Sequence, residues 1–438
     1  MLKNLFKIIV LIFMVIGIIL GISITVKKEM PKKVEKEKEE NVLSKIQTKT
    51  AEVTKFYTYG RAFNLSGKIN NIEKDNFEGA KLVITDGLEK EDIYTLNYNF
   101  EENTLYFSSD IEMNSGIILD NLDNTDYYIL LRLQLNNSAN PRYYTFSNIS
   151  EYENIEYYTM TSENKNKKVL INFEETELNN QKYSLLKINL EDSELPDNIY
   201  DIVIDAGHGG TDTGEKLGEY TEANITLEYA KMLKQNLEEK GFKVKLTRDD
   251  TNTGYYTDTN MYDEDGRITE SCESKAKLMI SFHVNNGADG LKGFEIYSPP
   301  NSNLDFANEM ANKIKEYSNI TYSNNNSFKK SEGVYVWNFT NSVIDQFKQT
   351  AERKGYEPYP ITTNTPYLYT IREVGGIATG AYVDGRNTSY SKNQYYNSNQ
   401  GIECYQIELG YIKNDLNIIV NEKENYIRGI SEAIENNF

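Results

Sequence analysis

The sequence is poor in the residues from which many functional sites are built. Cysteine occurs twice in 438 residues, as Cys272 and Cys404. Neither belongs to a Cys-x-x-Cys pair or another metal-binding spacing, so no disulfide framework is implied and two isolated core thiols are expected. Histidine is as scarce, with only His208 and His283. An excess of positive charge is missing as well. Lys and Arg number 47 against 66 Asp and Glu, a formal charge of −19, which argues against nucleic acid as a partner. No alanine precedes Ala51, so the small-residue cleavage site of a secretory signal peptide is not evident.

Long apolar runs are absent but for one. Ile8 to Val26 carries no charge over 19 residues, about 28 Å as a helix against a hydrocarbon core of roughly 30 Å. Residues 1–27 are therefore expected to form an uncleaved N-terminal transmembrane helix and residues 28–54 a charged linker, with the rest on the outer side of the membrane. Lys and Arg counting alone points the other way, because two Lys precede the span and six follow within a dozen residues. Residues 1–40 hold eight Lys and five Glu, so the remainder carries −22. Any polyanionic surface would repel such a charge, and retention there would need an anchor or local contacts.

Residues 55–195 contain short runs such as KLVITDG, IYTLNYNF, YYILLRLQL and KVLINF, rich in Tyr, Ile and Val and separated by Asn, Asp and Gly. They predict an all-β, sandwich-like or barrel domain. Its tyrosines could stack on sugars, but ordinary strand residues are the expected reading.

From residue 198 to 438 strands and helices alternate. IYDIVIDAG reads as a strand, EANITLEYAKMLKQNLEEKG as a helix burying Leu227, Ala230, Leu233 and Leu237, and FKVKLTR as a second strand. A helix over Arg267–Lys275, strands at LMISFHV and GFEIYS, and a helix at LDFANEMANKIKEYS with Leu304, Ala307, Met310, Ile314 and Tyr317 inward follow. The pattern predicts an α/β fold with a mainly parallel sheet and helices on both faces.

Both histidines fall at the ends of predicted strands, where open α/β sheets bind ligands. His208 sits in a glycine turn, IDAGHGG, and His283 in ISFHVNN. Singly, each is more often a structural histidine than a ligand; together at such positions they suggest a metal site. A catalytic zinc site needs a third donor, commonly a carboxylate. Glu222, 14 residues after His208 at a helix start, is well placed, although an acid there is also favoured by the helix dipole. Glu408 stands in an otherwise apolar strand, CYQIELGYI. Burial would raise its pKa and suit it to general acid–base work, against the alternative of a structural ion pair.

The motifs VIDAGHGG, TEANITLEYAKML, GRITESCESKAKLMISFHVN and IELGYIKN together resemble the zinc-dependent N-acetylmuramoyl-L-alanine amidases, the type 3 cell-wall amidases, from about Tyr200 to the C-terminus. The resemblance implies that zinc is held by His208, Glu222 and His283, that Glu408 is the catalytic acid–base, and that Asn285 contacts substrate while Asp205 supports the His208 loop. Arg372, in a glycine-rich stretch of a long connection between Lys329 and Gln400, is a weaker candidate for substrate binding, in a segment expected to be either a lid or a surface insertion. Thr251–Asp265 is expected to be a loop beside the cleft. The resemblance further implies hydrolysis of the amide between N-acetylmuramic acid and L-alanine in peptidoglycan. The alternatives are a zinc peptidase acting on the stem peptide and a non-catalytic wall-binding protein. A protein activator, if one is used, is not identified by the sequence.

Overall fold

A computed structural model of the chain describes residues 42–87, 91–136, 138–147, 155–160, 165–178, 180–250, 266–355, 361–377, 380–382, 390–392 and 401–438. The proposed membrane span and the Thr251–Asp265 segment lie outside the described residues. No helix among the described residues is long and apolar enough to cross a membrane.

The N-terminal unit is a sandwich rather than a barrel. One sheet is built on the strands Ala51–Tyr59, Ala62–Ile69, Thr104–Ser108 and Asn97–Glu101. The other runs Ile155–Tyr158, Lys167–Leu178, Gln181–Asp192, Asp126–Leu135, Phe77–Thr85 and Glu91–Thr95. Alternating apolar residues from both sheets, among them Phe63, Leu65, Leu82, Ile129, Val169 and Ile188, share one core. Some of the tyrosines belong to this packing: Tyr127, Tyr144 and Tyr157 are buried in the same core. Residues 42–54 do not behave as the solvated linker expected of them. Val42 and Ile46 pack against Val83, Leu130 and Tyr183, and the first strand already begins at Ala51. Two apolar side chains outweigh a charged local composition once a sheet face is available.

The C-terminal unit is centred on a seven-stranded sheet in the order Val244–Leu246, Ile202–Ala206, Leu278–Asn285, Glu403–Tyr411, Glu295–Tyr297, Val334–Tyr335, Lys329–Ser331. The first four strands are parallel, and Glu295–Tyr297 pairs antiparallel with Glu403–Tyr411, so the sheet is mixed beyond its parallel half. Its faces alternate by residue. Ile202, Ile204, Ile280, Phe282, Tyr405 and Ile407 pack on one side with the helices Glu222–Glu239, Asp305–Tyr317 and Lys423–Asn437. Val203, Met279 and Cys404 face the other, against Arg267–Glu273 and Tyr369–Val374. Both cysteines are buried and free. Tyr317 is only half-buried, because its hydroxyl reaches Glu432 and Arg428 lies over its ring.

The connection after Lys329 is part of the domain's framework in its described portions. It adds two strands to the sheet edge, and Thr340 caps the helix Asn341–Lys354, which ends on Gly355 at φ 73°. Ile371 and Val374 from the Tyr369–Val374 helix fill the second core.

The sandwich docks on the end of the sheet where the parallel strands begin. Gly60 N–H donates to the Gly401 carbonyl at 2.9 Å and Gly401 N–H to that of Thr58 at 3.1 Å. Asn114 Nδ2 donates to Glu403 Oε1 and Asn166 Nδ2 to Asp201 Oδ1, each at 2.7 Å. Lys277, buried, lies with its ammonium 5.0 Å from the Tyr157 ring centre, and Met160 enters the main α/β core.

Candidate metal centre

The opposite end of the sheet carries the predicted site. The Ile202–Ala206 strand leads into the turn that holds His208, whose φ of 61° lies in the left-handed region, a conformation usually retained only where surrounding contacts enforce it. Arg267 enforces it. This 1% exposed guanidinium bonds Asp205 Oδ1 at 2.8 Å and the His208 carbonyl at 3.0 Å. Asp205 in turn accepts from Thr247 Oγ1 at 2.7 Å and Ser281 Oγ at 2.6 Å. Burial opposes its charge, but Arg267 and these hydroxyls hold its pKa below the ordinary carboxylate value. Arg248 fastens the same turn to the helix, donating to the carbonyls of Ala206, Gly207 and Ala223.

Glu222 is the first residue of the helix Glu222–Glu239, with Thr221 accepting from Asn224 N–H as its cap. Thr226 Oγ1 donates to the Gly207 carbonyl at 2.8 Å, which pins the helix start against the turn. Glu222 is thereby aimed at both rings: its Oε1 lies 3.0 Å from His208 Nε2 and 3.1 Å from His283 Nδ1. The carboxylate also accepts from Val284 N–H at Oε1 and Glu215 N–H at Oε2. Burial alone would raise the Glu222 pKa, yet the bonds to the two imidazoles hold it well below the usual range. Burial would likewise lower that of His208, but Asp212 and Glu222 raise it to about 10.

His208, Glu222 and His283 form a group whose donor atoms all lie within 4.8 Å of one another. Ligands about 2.0–2.1 Å from a tetrahedral zinc ion stand roughly 3.3 Å apart, close to the separations here. A further observation fits a cation: Asp212 Oδ2 lies 3.0 Å from His208 Nδ1, the carboxylate–histidine arrangement that fixes a metal-binding tautomer. Glycine makes the cluster compact. A Cβ on Gly207 would lie 2.5 Å from His283 Cε1, and one on Gly214 would lie 2.5 Å from Glu222 Oε2.

Glu408 joins the group from the next strand, in register with His283. It is 8% exposed, and its Oε1 accepts from Gln406 Nε2 at 2.9 Å. Burial first, then the neighbouring charges of Glu222 and Glu295, push its pKa up to about 7 against the lowering effect of His283. Asn285, two residues beyond His283, donates from Nδ2 to Glu295 at 3.1 Å. Arg372 has a different setting. It is buried, with Nε on Glu373 at 2.6 Å and NH1 on the carbonyls of Pro366 and Tyr367, contacts that tie it to its own loop.

Sequence reasoning missed Asp212, Arg248 and Glu295. Asp212 had a signal, an acid four residues after a histidine in a glycine turn. Glu295 had the same signal as Glu408, an acid inside an apolar strand.

These features define a class: an open α/β domain with two histidines and a carboxylate disposed to hold a metal ion, and a buried second carboxylate beside them. Residues 202–356 match the family model described as N-acetylmuramoyl-L-alanine amidase, and this part of the chain is related to that family. The endolysin of Bacillus phage SPP1 is 37% identical over 95 residues, 22% of this chain and 32% of the endolysin. The germination-specific N-acetylmuramoyl-L-alanine amidase of Bacillus subtilis (strain 168) is 37% identical over 90 residues, 19% of this chain and 38% of that protein. The chain thus spans about a third of the length of these curated relatives. Among solved structures, the N-acetylmuramoyl-L-alanine amidase AmiC2 of Nostoc punctiforme aligns over 55% of this chain and 97% of its own at 19% identity, with a TM-score of 0.34. Glu408 lies beyond the matched residues, and strand pairing brings it to the site.

Proposed function

We propose that the chain is a zinc-dependent N-acetylmuramoyl-L-alanine amidase that hydrolyses the amide between N-acetylmuramic acid and L-alanine in peptidoglycan. The observation that carries this reading is the convergence of His208, Glu222 and His283 beside buried Glu408, in a domain matching that family. Bound by those three residues, zinc would supply Lewis-acid polarisation of the scissile carbonyl. Glu408, with a pKa raised to about 7, takes the proton from attacking water and returns it to the departing L-alanine nitrogen. Gln406 holds one oxygen of Glu408 in place for both transfers. Asp212 keeps the Nε2 lone pair of His208 directed at the ion by accepting from Nδ1.

We further propose that residues 8–26 anchor the chain in the membrane with the hydrolase facing the wall, on the strength of their uncharged 19-residue length. The full chain, incubated with purified peptidoglycan, is expected to release peptides with a new amino-terminal L-alanine. Chelation should abolish release, zinc should restore it, and Glu408→Gln should lower the rate about 10²–10⁴-fold with zinc still bound. Release of a D-amino acid instead would identify a peptidase, and a zinc-loaded chain that releases nothing would reduce the domain to a binding module.

A further inference from the structure

Glu295 is fully buried one strand away from Glu408, directly across from it in register. It makes no ion pair among the described residues; five neutral donors surround it instead. Oε1 accepts from Ser323 Oγ at 2.6 Å, Tyr411 Oη at 2.7 Å and Asn325 Nδ2 at 3.3 Å. Oε2 accepts from Tyr297 Oη at 2.6 Å and Asn285 Nδ2 at 3.1 Å. Burying a carboxylate with no cation is costly even when its oxygens are satisfied. A side chain of that kind at a cleft wall calls for an account beyond packing.

The account follows from polarity. A carboxylate oxygen accepts, whereas an amide can present either its NH2 or its carbonyl oxygen. Facing Glu295, Asn285 must turn its NH2 inward, which leaves Oδ1 as its outward atom. Asn285 is half-buried, and no hydrogen bond to its Oδ1 occurs among the described residues. It follows His283 by two positions; the pairing with the next strand shifts register between them, but the bond to Glu295, which lies across from Glu408 as Glu408 does from His283, keeps Asn285 on the face of the metal centre.

We infer that Glu295 is a positioning residue that fixes Asn285 as a hydrogen-bond acceptor beside the metal centre, where it reads an N–H of the stem peptide. The inference rests on the amidase reading for the identity of its ligand. It assigns a direction to the contact: a substrate donor is recognised there, and a group able only to accept is rejected, because an unpaired acceptor pair is expensive to bury.

Glu295→Gln tests it, since an NH2 at position 295 allows Asn285 to invert. On a soluble muramoyl-peptide, the zinc-loaded full chain carrying Glu295→Gln should show a KM raised about tenfold, beyond any change in kcat that follows from removing a charge beside Glu408. Adding Asn285→Asp to that variant returns an acceptor to the cleft, held by the new amide, and should recover most of the KM. Should Glu295→Gln not fold, Asn285→Leu, at a half-exposed position, carries the same expectation of a raised KM. An unchanged KM in the folded single variant, or no recovery in the double, overturns the inference.

Binding separates this from the amidase reading. The muramoyl-peptide dissociation constant is compared between Glu408→Gln and Glu408→Gln/Glu295→Gln, which requires no turnover. The second should bind about tenfold more weakly, and equal binding overturns the inference even if the wild type is inactive. With a stem peptide N-methylated at its backbone amides beyond the scissile bond, the two should bind alike. A penalty that persists there assigns the acceptor to a sugar hydroxyl and overturns the peptide assignment.

Discussion

Asp212 and His208 are joined at 3.0 Å between Oδ2 and Nδ1, while the far nitrogen of the same ring, Nε2, stands 3.0 Å from Glu222. The imidazole is thus held at both ends, and with an ion bound its proton would stay on the side of Asp212. Asp212→Ala should weaken zinc binding about 10–100-fold. Competition against a coloured chelator measures this directly, and an unchanged affinity would show that the turn alone orients the ring.

Gly207 presses against the second histidine. With a methyl group there, the new carbon would lie 2.5 Å from His283 Cε1 and 2.6 Å from the Phe282 carbonyl oxygen, so the ring, the strand end or both must move. Gly207→Ala is expected to reduce the zinc content of the purified chain while leaving its circular dichroism near that of the wild type. Full zinc occupancy in the variant would mean that the strand end yields instead of the ring.

The Arg267–Asp205 pair is 1% and 0% exposed, at 2.8 Å. Removing one partner leaves the other charge buried, so Arg267→Met should destabilise the chain by about 3–5 kcal/mol. Denaturant titration gives the value, and a loss below about 1 kcal/mol would place the importance of Arg267 in the His208 carbonyl contact alone.

Burial raises the carboxyl pKa of Asp120 and of Asp201 to about 6 each, from an ordinary 3.8. Between those values the folded chain holds protons that the unfolded chain has lost. The contribution of both groups to stability is therefore present at low pH and declines as pH rises from about 4 to about 6. Relative to wild type, Asp120→Asn and Asp201→Asn should each remove part of this slope, on the order of 2 kcal/mol across the window. Unfolding free energies measured from pH 4 to 7 check it, and parallel curves would count against the assignment.

The positions of His208, His283, Glu222 and Glu408 were legible because each breaks a local pattern: a polar residue at a strand end, at a helix start or inside an apolar run. Glu295 breaks the pattern in the same way as Glu408, and only the lack of a matching motif kept it from notice. Arg372 shows the converse. A cation in a glycine-rich stretch reads as available to a ligand, and nothing local announces that the carbonyls of Pro366 and Tyr367 enclose it. The alternation of strands and helices gave the α/β architecture and the two-sided sheet. It also gave a strand at GFEIYS, where Glu295–Tyr297 stands, but neither its antiparallel direction nor its neighbours at the edge, because strands of two or three residues carry no period to read.

The seam between the two units is equally invisible to local patterning, since its partners are far apart in sequence: Asn114 with Glu403, Asn166 with Asp201, Thr58 and Gly60 with Gly401. It bears on how the protein can change over time. A lobe whose exposed edge consisted of ordinary polar residues could be transferred by recombination onto other carriers. Here a transplant would leave Asp201, Lys277 and Glu403 without the groups that shelter them, and the recipient would inherit three ionisable side chains in need of new neighbours. The sandwich and the hydrolase are accordingly expected to be inherited as a pair, with substitutions on one side of the seam answered by substitutions on the other.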